Sequence, residues 1–239
     1  MLLAISVEYR KDFLMADISS LKYPCSAIFF DLDGTLLDSA QDLAEATNAA
    51  LRAFNLPEHP VHAYKYFVGD GFEMLIQRAT PEDADSALQQ GVMQQARELY
   101  RQNWAHTSKP YEGIPEMLNE LQHRKIPLAV LSNKPHEFTL LTMRHFFPSI
   151  HFTCIQGSPP GLRAKPDSAL AHVMLQKLGL EAQQVLFMGD TSVDMMTAVN
   201  ADMFPVGVLW GFRTEEELRR HGARLILHQA EELFEYIES

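Results

Sequence analysis

The sequence predicts an α/β protein: a doubly wound, Rossmann-like parallel sheet with a small α-helical domain inserted after its first strand. Three observations carry that prediction. Apolar runs at residues 27–30, 128–132 and 185–189 have the length and unbroken hydrophobicity of strands buried on both faces. Stretches of helical spacing separate and follow these runs, and strands that alternate with helices assemble into parallel sheets. From residue 38 to residue 109 the strand-like runs stop and apolar residues recur at intervals of three and four, which marks a helical insert.

In chain order, residues 1–24 do not share the pattern of the rest. Met1-Leu2-Leu3-Ala4-Ile5-Ser6-Val7 is too short for a signal peptide and lacks its basic flank. Two readings stand for this N-terminal extension: a start at Met15, or a short structured segment covering a sheet edge. A catalytic core is expected from residues 25–37 and 110–239, opening with the strand from Ala27 to Phe30. In the 38–109 cap, Leu43, Ala46, Thr47, Ala50, Leu51 and Phe54 trace one amphipathic helix that ends before Pro57. Residues 72–79 and 89–104 read the same way. Gly113 then opens another helix, with Pro115 suited to its first turn. Beyond it the spacing predicts strand 128–132, helix 138–147, strand 152–156, helix 168–178, strand 185–189, a helix after Asp194 and strand 204–209. No internal repeat is evident.

Composition narrows the class. With 46% hydrophobic and 21% charged residues the 239-residue chain has the make-up of an ordinary globular protein, long enough for a substantial core, and needs no membrane. A formal net charge of −11 excludes nucleic acid as the expected partner, since backbone binding requires clustered positive charge. Cys25 and Cys154, without metal-ligand spacing, indicate a reducing, cytoplasmic setting. The 10 histidines are scattered and form no HExxH motif, so packing and surface roles are expected of them. The sequence leaves monomer and homodimer both open.

The chemistry concentrates at Asp31-Leu32-Asp33-Gly34-Thr35. Asp31 stands where the first strand ends, and open α/β sheets bind ligands beyond the carboxyl ends of their strands. In an extended chain Asp33 projects to the same side, and Gly34 permits a sharp turn behind the pair. Two anions held that close repel unless a cation intervenes, and oxygen-only ligands favour Mg²⁺, which binds through one or two carboxylates, substrate phosphate and water. A carboxylate also serves as a covalent nucleophile, and a neighbouring acid supplies the leaving group's proton. By itself Asp-x-Asp-Gly is equally a solvated turn. Groups further along the chain weigh against the turn. Ser132, Asn133 and Lys134 end the second apolar run with a hydroxyl, an amide and a base, all suited to phosphate oxygens. Lys165 follows a Gly/Pro-rich loop, and Asp190 and Asp194 follow Gly189, whose missing side chain is expected to let Asp190 approach a metal.

Taken in order, these pieces resemble the haloacid dehalogenase superfamily of phosphohydrolases: an Asp-x-Asp-Gly-Thr loop, a Ser or Thr strand end, a lysine and a Gly-Asp-x-x-x-Asp loop. The resemblance runs from residue 25 to the C-terminus. Phe67-Val68-Gly69-Asp70-Gly71 and Pro205-Val206-Gly207-Val208-Leu209-Trp210-Gly211-Phe212-Arg213 make the chain most similar to the phosphoglycolate phosphatases within it. The resemblance implies that Asp31 is the nucleophile that becomes aspartyl-phosphate and that Asp33 is the general acid and base. It makes Ser132, Asn133 and Lys165 the substrate-binding set, and it has Mg²⁺ held by Asp31, the backbone carbonyl of Asp33 and Asp190. Asp194 either acts through water or orients Lys165.

The expected activity is that of a Mg²⁺-dependent phosphatase acting on a small phosphorylated metabolite of carbohydrate metabolism, phosphoglycolate-like in size. A β-phosphoglucomutase-like mutase, a pyrophosphatase or nucleotidase, and a non-catalytic binding module are the alternatives. The cap is expected to hinge over the site and exclude water. Gly69 and Gly71 either bring a cap loop close to substrate or flank a helix N-cap at Asp70. Asn200 and Asp202 depart from the superfamily's small residues, and Arg163 is expected near the phosphate.

Overall fold

The computed structural model describes residues 22–159 and 163–238. Most of the predicted N-terminal extension, residues 1–21, lies outside them, as does part of the glycine- and proline-rich loop. Tyr23 forms a parallel bridge to Ile237, so the first described residues run beside the C-terminal tail.

β1 (Ala27–Phe30) is no more than 1% exposed at any residue, as its four consecutive apolar side chains require. β2 (Leu37–Asp38) leads into four helices: α1 (Ala40–Ala53), α2 (Val61–Phe67), α3 (Phe72–Ala79) and α4 (Ser86–Asn103). β3 (Lys109–Pro110) returns the chain, pairing antiparallel with β2 through Leu37 with Pro110 and Asp38 with Lys109. Then come α5 (Ile114–His123), β4 (Leu128–Pro135), α6 (His136–Phe146), β5 (Cys154–Ser158), α7 (Ala169–Leu178), β6 (Val185–Gly189), α8 (Ser192–Asn200) and β7 (Phe204–Val208). α9 (Glu215–Arg220), β8 (Leu225–Leu227) and α10 (Leu233–Tyr236) complete it.

Six strands form one parallel sheet in the order β5-β4-β1-β6-β7-β8, the doubly wound arrangement expected. Strand alternation sorts its side chains into two layers. Ile28, Phe30, Val130, Leu186 and Met188 meet α5 through Ile114, Met117, Leu118 and Leu121. Ala27, Phe29, Leu131, Val185 and Phe187 face α7 and α8 through Ala171, Met174, Leu175 and Ala198. The inserted helices enclose their own apolar cluster, where Leu43, Ala50, Leu51, Tyr64, Ile76, Val92 and Tyr100 are buried. Phe138 of α6 and Phe212 of the loop after β7 reach into that cluster from the sheet side.

Differences from the sequence reading are local. The strand expected at 152–156 begins at Cys154, because the Phe152 ring packs against Phe147 at 6.4 Å as a plug ahead of the ladder. β4 continues past Ser132 to Pro135 through a register shift against β5. The spacing did not reveal α2 or β8, each being too short for a period to show.

Candidate active site

The site lies beyond the carboxyl ends of three neighbouring strands, β4, β1 and β6. The Asp31 N–H still donates to the Met188 carbonyl at 2.9 Å, so its side chain leaves the sheet as an extension of β1. The chain then turns sharply, with Leu36 and Leu37 N–H groups returning to the Leu32 carbonyl. Gly34 has φ +92, and a Cβ there would fall 2.2 Å from Asp190 Oδ2. Only glycine fits that approach.

Asp31, Asp190 and Asp194 bring carboxylate oxygens within 4.8 Å of one another, all buried. Lys165 reaches them from the loop ahead of α7, its Nζ 2.9 Å from Asp31 Oδ1 and 2.6 Å from Asp194 Oδ1. Thr191 N–H and hydroxyl fill Asp194 Oδ2 at 3.0 and 2.6 Å. Asp190 accepts one bond on each oxygen, from the Thr35 hydroxyl and from the Phe212 N–H, both 2.9 Å. Asp31 Oδ1, despite its proximity to Lys165, receives no well-directed hydrogen bond.

One ammonium thus faces three buried carboxylates, and the electrostatics register the imbalance. Burial above all pushes the Asp31 carboxyl up to about 6, while Lys165 draws it back and Asp194 adds to the rise. Burial, then the Asp194 and Asp31 charges, hold Asp190 well above the usual carboxylate range. Burial disfavours the Lys165 ammonium, yet Asp194 and Asp31 outweigh it and raise its pKa. An anionic pocket with an oxygen left unbonded and oxygen-only donors fits a divalent cation.

Asp33 turns away from this cluster. It accepts the Ser39 hydroxyl at 2.6 Å and the Lys134 ammonium at 2.9 and 3.0 Å, and Lys134 also donates to the Tyr100 hydroxyl of α4 at 2.8 Å. Burial opposes the Lys134 charge, but Asp33 outweighs it and the pKa is raised. Ser132 is buried, its Oγ accepting the Lys134 N–H at 3.3 Å. Asn133 spends both amide hydrogens on the Gly69 and Lys165 carbonyls, at 2.9 and 3.0 Å, and accepts the Lys165 N–H at 2.8 Å.

Over these groups lies a cavity of about 40 Å³, room for about three water molecules. Asp31, Asp33, Ser132, Asn133 and Lys134 line its floor, and Leu43, Val68, Phe72, Leu75 and Tyr100 of the cap close it.

Several expected details change. Arg163 does not approach the phosphate groups: its side chain is 89% exposed and lies 3.7 Å from Asp167. Asp70 neither lines the cavity nor caps α3, since it pairs with Arg78 at 2.6 Å and Gly71 holds the N-cap. The space left by Gly189 is taken by Asp194, whose Cβ would sit 2.2 Å from an added methyl, so this glycine accommodates Asp194. Trp210, in the motif after β7, donates its indole N–H to the Thr35 carbonyl at 2.9 Å. Sequence reasoning missed Ser39 and Tyr100, which carry no local motif, and gave Phe212 no role although it lies in the Pro205–Arg213 motif; Thr35 was visible as the residue after the Asp-x-Asp-Gly turn.

The model of the haloacid dehalogenase-like hydrolase family matches residues 28–208. A phosphoglycolate phosphatase from Photobacterium profundum is 30% identical over 217 residues, covering 88% of this chain and 95% of that protein. A 5′-nucleotidase from Pseudomonas aeruginosa is 31% identical over 204 residues, covering 85% and 90% respectively. Among solved structures, a predicted phosphoglycolate phosphatase from Haemophilus somnus superposes with a TM-score of 0.82 at 27% identity, covering 88% of this chain and 97% of that one.

Proposed function

The chain belongs to the haloacid dehalogenase-like hydrolases, and we propose that it is a Mg²⁺-dependent phosphatase for small, phosphoglycolate-like phosphate monoesters. The observation that carries this reading is the buried Asp31, Asp190 and Asp194 cluster with its single lysine, set beneath a small, partly open cavity. Asp31 attacks phosphorus in line, its carboxylate paired through Oδ1 with the Lys165 ammonium at 2.9 Å. Lys165 offsets charge on Asp31 and on the transferring phosphoryl. Asp33 protonates the leaving oxygen and then takes a proton from the water that hydrolyses the aspartyl-phosphate. Lys134 and Ser39 hold Asp33 in place between those steps.

Asp31, the Asp33 carbonyl and Asp190 would hold the Mg²⁺, which when bound supplies charge stabilisation to the transferring phosphoryl. Asp194, which accepts the Lys165 ammonium on Oδ1 at 2.6 Å and is itself fixed by Thr191, orients Lys165. Ser132 offers a hydroxyl to the phosphate. Asn133 acts through the backbone of Lys165, its amide hydrogens being committed.

Residues 25–37 and 110–239 form the catalytic core of this reading and 38–109 the cap. The similarity to phosphoglycolate phosphatases supports a short leaving group over a nucleoside or a sugar. Among the described residues no helix is long and apolar enough to cross a membrane, and the free Cys25 and Cys154 support a cytoplasmic setting.

The test is phosphate release from phosphoglycolate, sugar monophosphates, AMP and pyrophosphate, with Mg²⁺ and with EDTA. Phosphoglycolate should lead, EDTA should abolish release, and Asp31→Asn should be inactive yet folded. AMP as the leading substrate, or full activity in EDTA, would overturn the reading. A mutase would show itself by isomerised sugar phosphate without free phosphate.

A further inference from the structure

The loop after β7 joins the acidic cluster to the cap at successive residues. The Phe212 N–H donates to Asp190 Oδ2 at 2.9 Å while the Phe212 ring is buried in the cap's apolar cluster. Gly211 is pressed between them, for a Cβ there would lie 2.3 Å from Asp190 Cβ and 2.4 Å from the Gly34 carbonyl. Arg213 then crosses to the end of α2. Its guanidinium donates to the carbonyls of Lys65, Tyr66 (3.4 Å) and Val68 (3.1 Å) and lies over the Tyr66 ring at 5.2 Å.

These carbonyls are the ones a helix C-terminus leaves without partners, at the negative end of its dipole. A planar guanidinium reaches several of them from one rigid fork of donors. The Arg213 side chain is only 9% exposed and Glu217 pairs with it at 3.3 Å, while its bonds to the Lys65 and Tyr66 carbonyls lie at the surface and the one to Val68 is half-buried. Val68 and Gly69 immediately follow, and both line the catalytic cavity.

We propose that Arg213 is a positioning residue that latches the cap over the active site and thereby sets substrate size. The proposal rests on the phosphatase reading for its kinetic part alone. With the latch engaged, Val68 and Gly69 are held against the core, the cavity keeps its small volume, and the same loop keeps the Phe212 N–H on Asp190. Loss of the Arg213 bonds leaves the end of α2 to Arg78, which holds the Tyr66 and Phe67 carbonyls at 3.4 and 3.0 Å, and the cap then opens more readily to bulkier leaving groups. Small substrates need closure to gather the catalytic groups around them; p-nitrophenyl phosphate, with its bulkier ring and better leaving group, depends on closure less.

The test compares Arg213→Ala and Glu217→Gln with the wild-type protein. Hydrogen exchange should accelerate about tenfold at residues 64–71 in R213A, the change expected when a bond worth one decade in equilibrium is lost. Exchange in β1 and β6 should stay unchanged. Preference for phosphoglycolate over p-nitrophenyl phosphate, as a ratio of kcat/KM values, should fall by about an order of magnitude, chiefly through KM for phosphoglycolate. E217Q, which leaves the cap bonds in place, should keep both the exchange rates and the ratio. Wild-type exchange at residues 64–71 in R213A overturns the latch whatever the kinetics. Accelerated exchange with an undiminished ratio overturns its role in substrate size. Absence of hydrolysis by the wild-type protein tells against the phosphatase reading, and exchange then decides the latch by itself.

Discussion

Replacing Asp42 with asparagine tests whether the helical insert is fastened at its base by charge. Asp42 sits in the first turn of α1 and is 3% exposed. Its carboxylate accepts the Thr107 N–H at 2.9 and 3.1 Å and the Thr107 hydroxyl at 2.5 Å, then the Ser108 N–H at 2.8 Å and the Ser108 hydroxyl at 2.6 Å. It therefore ties the chain entering the cap to the chain leaving it. In D42N the Thr107 hydroxyl can turn to accept from the new amide, while both N–H groups and the Ser108 hydroxyl keep an oxygen. A hydrogen bond to a charged group contributes roughly 1.5–3 kcal/mol and a neutral one about 0.5–1.5 kcal/mol, so each retained bond weakens by about 1 kcal/mol. Over the retained bonds the loss is about 3 kcal/mol, and D42A, which strands both N–H groups, loses more. Urea melts at pH 7 measure it. Burial raises the Asp42 pKa, but the Ser108 and Thr107 bonds outweigh burial and hold it below the usual range. A lowered folded-state pKa gives stability that is complete above the ordinary value of about 3.9 and is lost as pH falls through the folded value. The gap between wild type and D42N should stay level from neutral pH to about pH 5 and narrow below about pH 4. A gap under about 0.5 kcal/mol at pH 7, within the range of an ordinary surface change, or one that widens in acid, would refute the reasoning.

Gly211→Ala drives a methyl into Asp190 and the Gly34 carbonyl, so turnover should drop by about a hundredfold and the apparent Mg²⁺ requirement should rise, as metal titrations of the rate will show. Arg163→Ala removes an exposed side chain remote from the acids, and kcat/KM should stay within about twofold of wild type, since surface changes seldom exceed about 0.5 kcal/mol.

The fold was legible wherever burial is continuous along the chain. Ala27 to Phe30 and Val185 to Gly189 show their strands because both faces are covered and no polar residue interrupts them. The acidic residues were legible because each follows such a run directly. What escaped was pairing across distance. Lys134 reads as a phosphate ligand beside Ser132, yet its ammonium goes to Asp33, 101 residues away, and to Tyr100. Gly189 carries a plausible local purpose, but Asp194 packs into its space only once α8 folds back. Arg163 looked functional by its nearness to Lys165 in sequence, and a loop lets neighbours point in opposite directions. Short elements such as α2 and β8 owe their form to neighbouring elements and leave no period to read.

The antiparallel ribbon of β2 and β3 has a further consequence. Its partner residues stand about 5 Å apart, so everything between Asp38 and Lys109 is attached to the sheet at what is geometrically one spot on its surface. A foreign segment could be spliced in here without cutting the strands that carry Asp31 and Asp190, provided that it resupplies the Ser39 and Tyr100 contacts to Asp33 and Lys134 and the apolar seat of Phe212. Recognition of the leaving group can thus be exchanged, in evolution or by grafting, as long as those contacts are rebuilt with it.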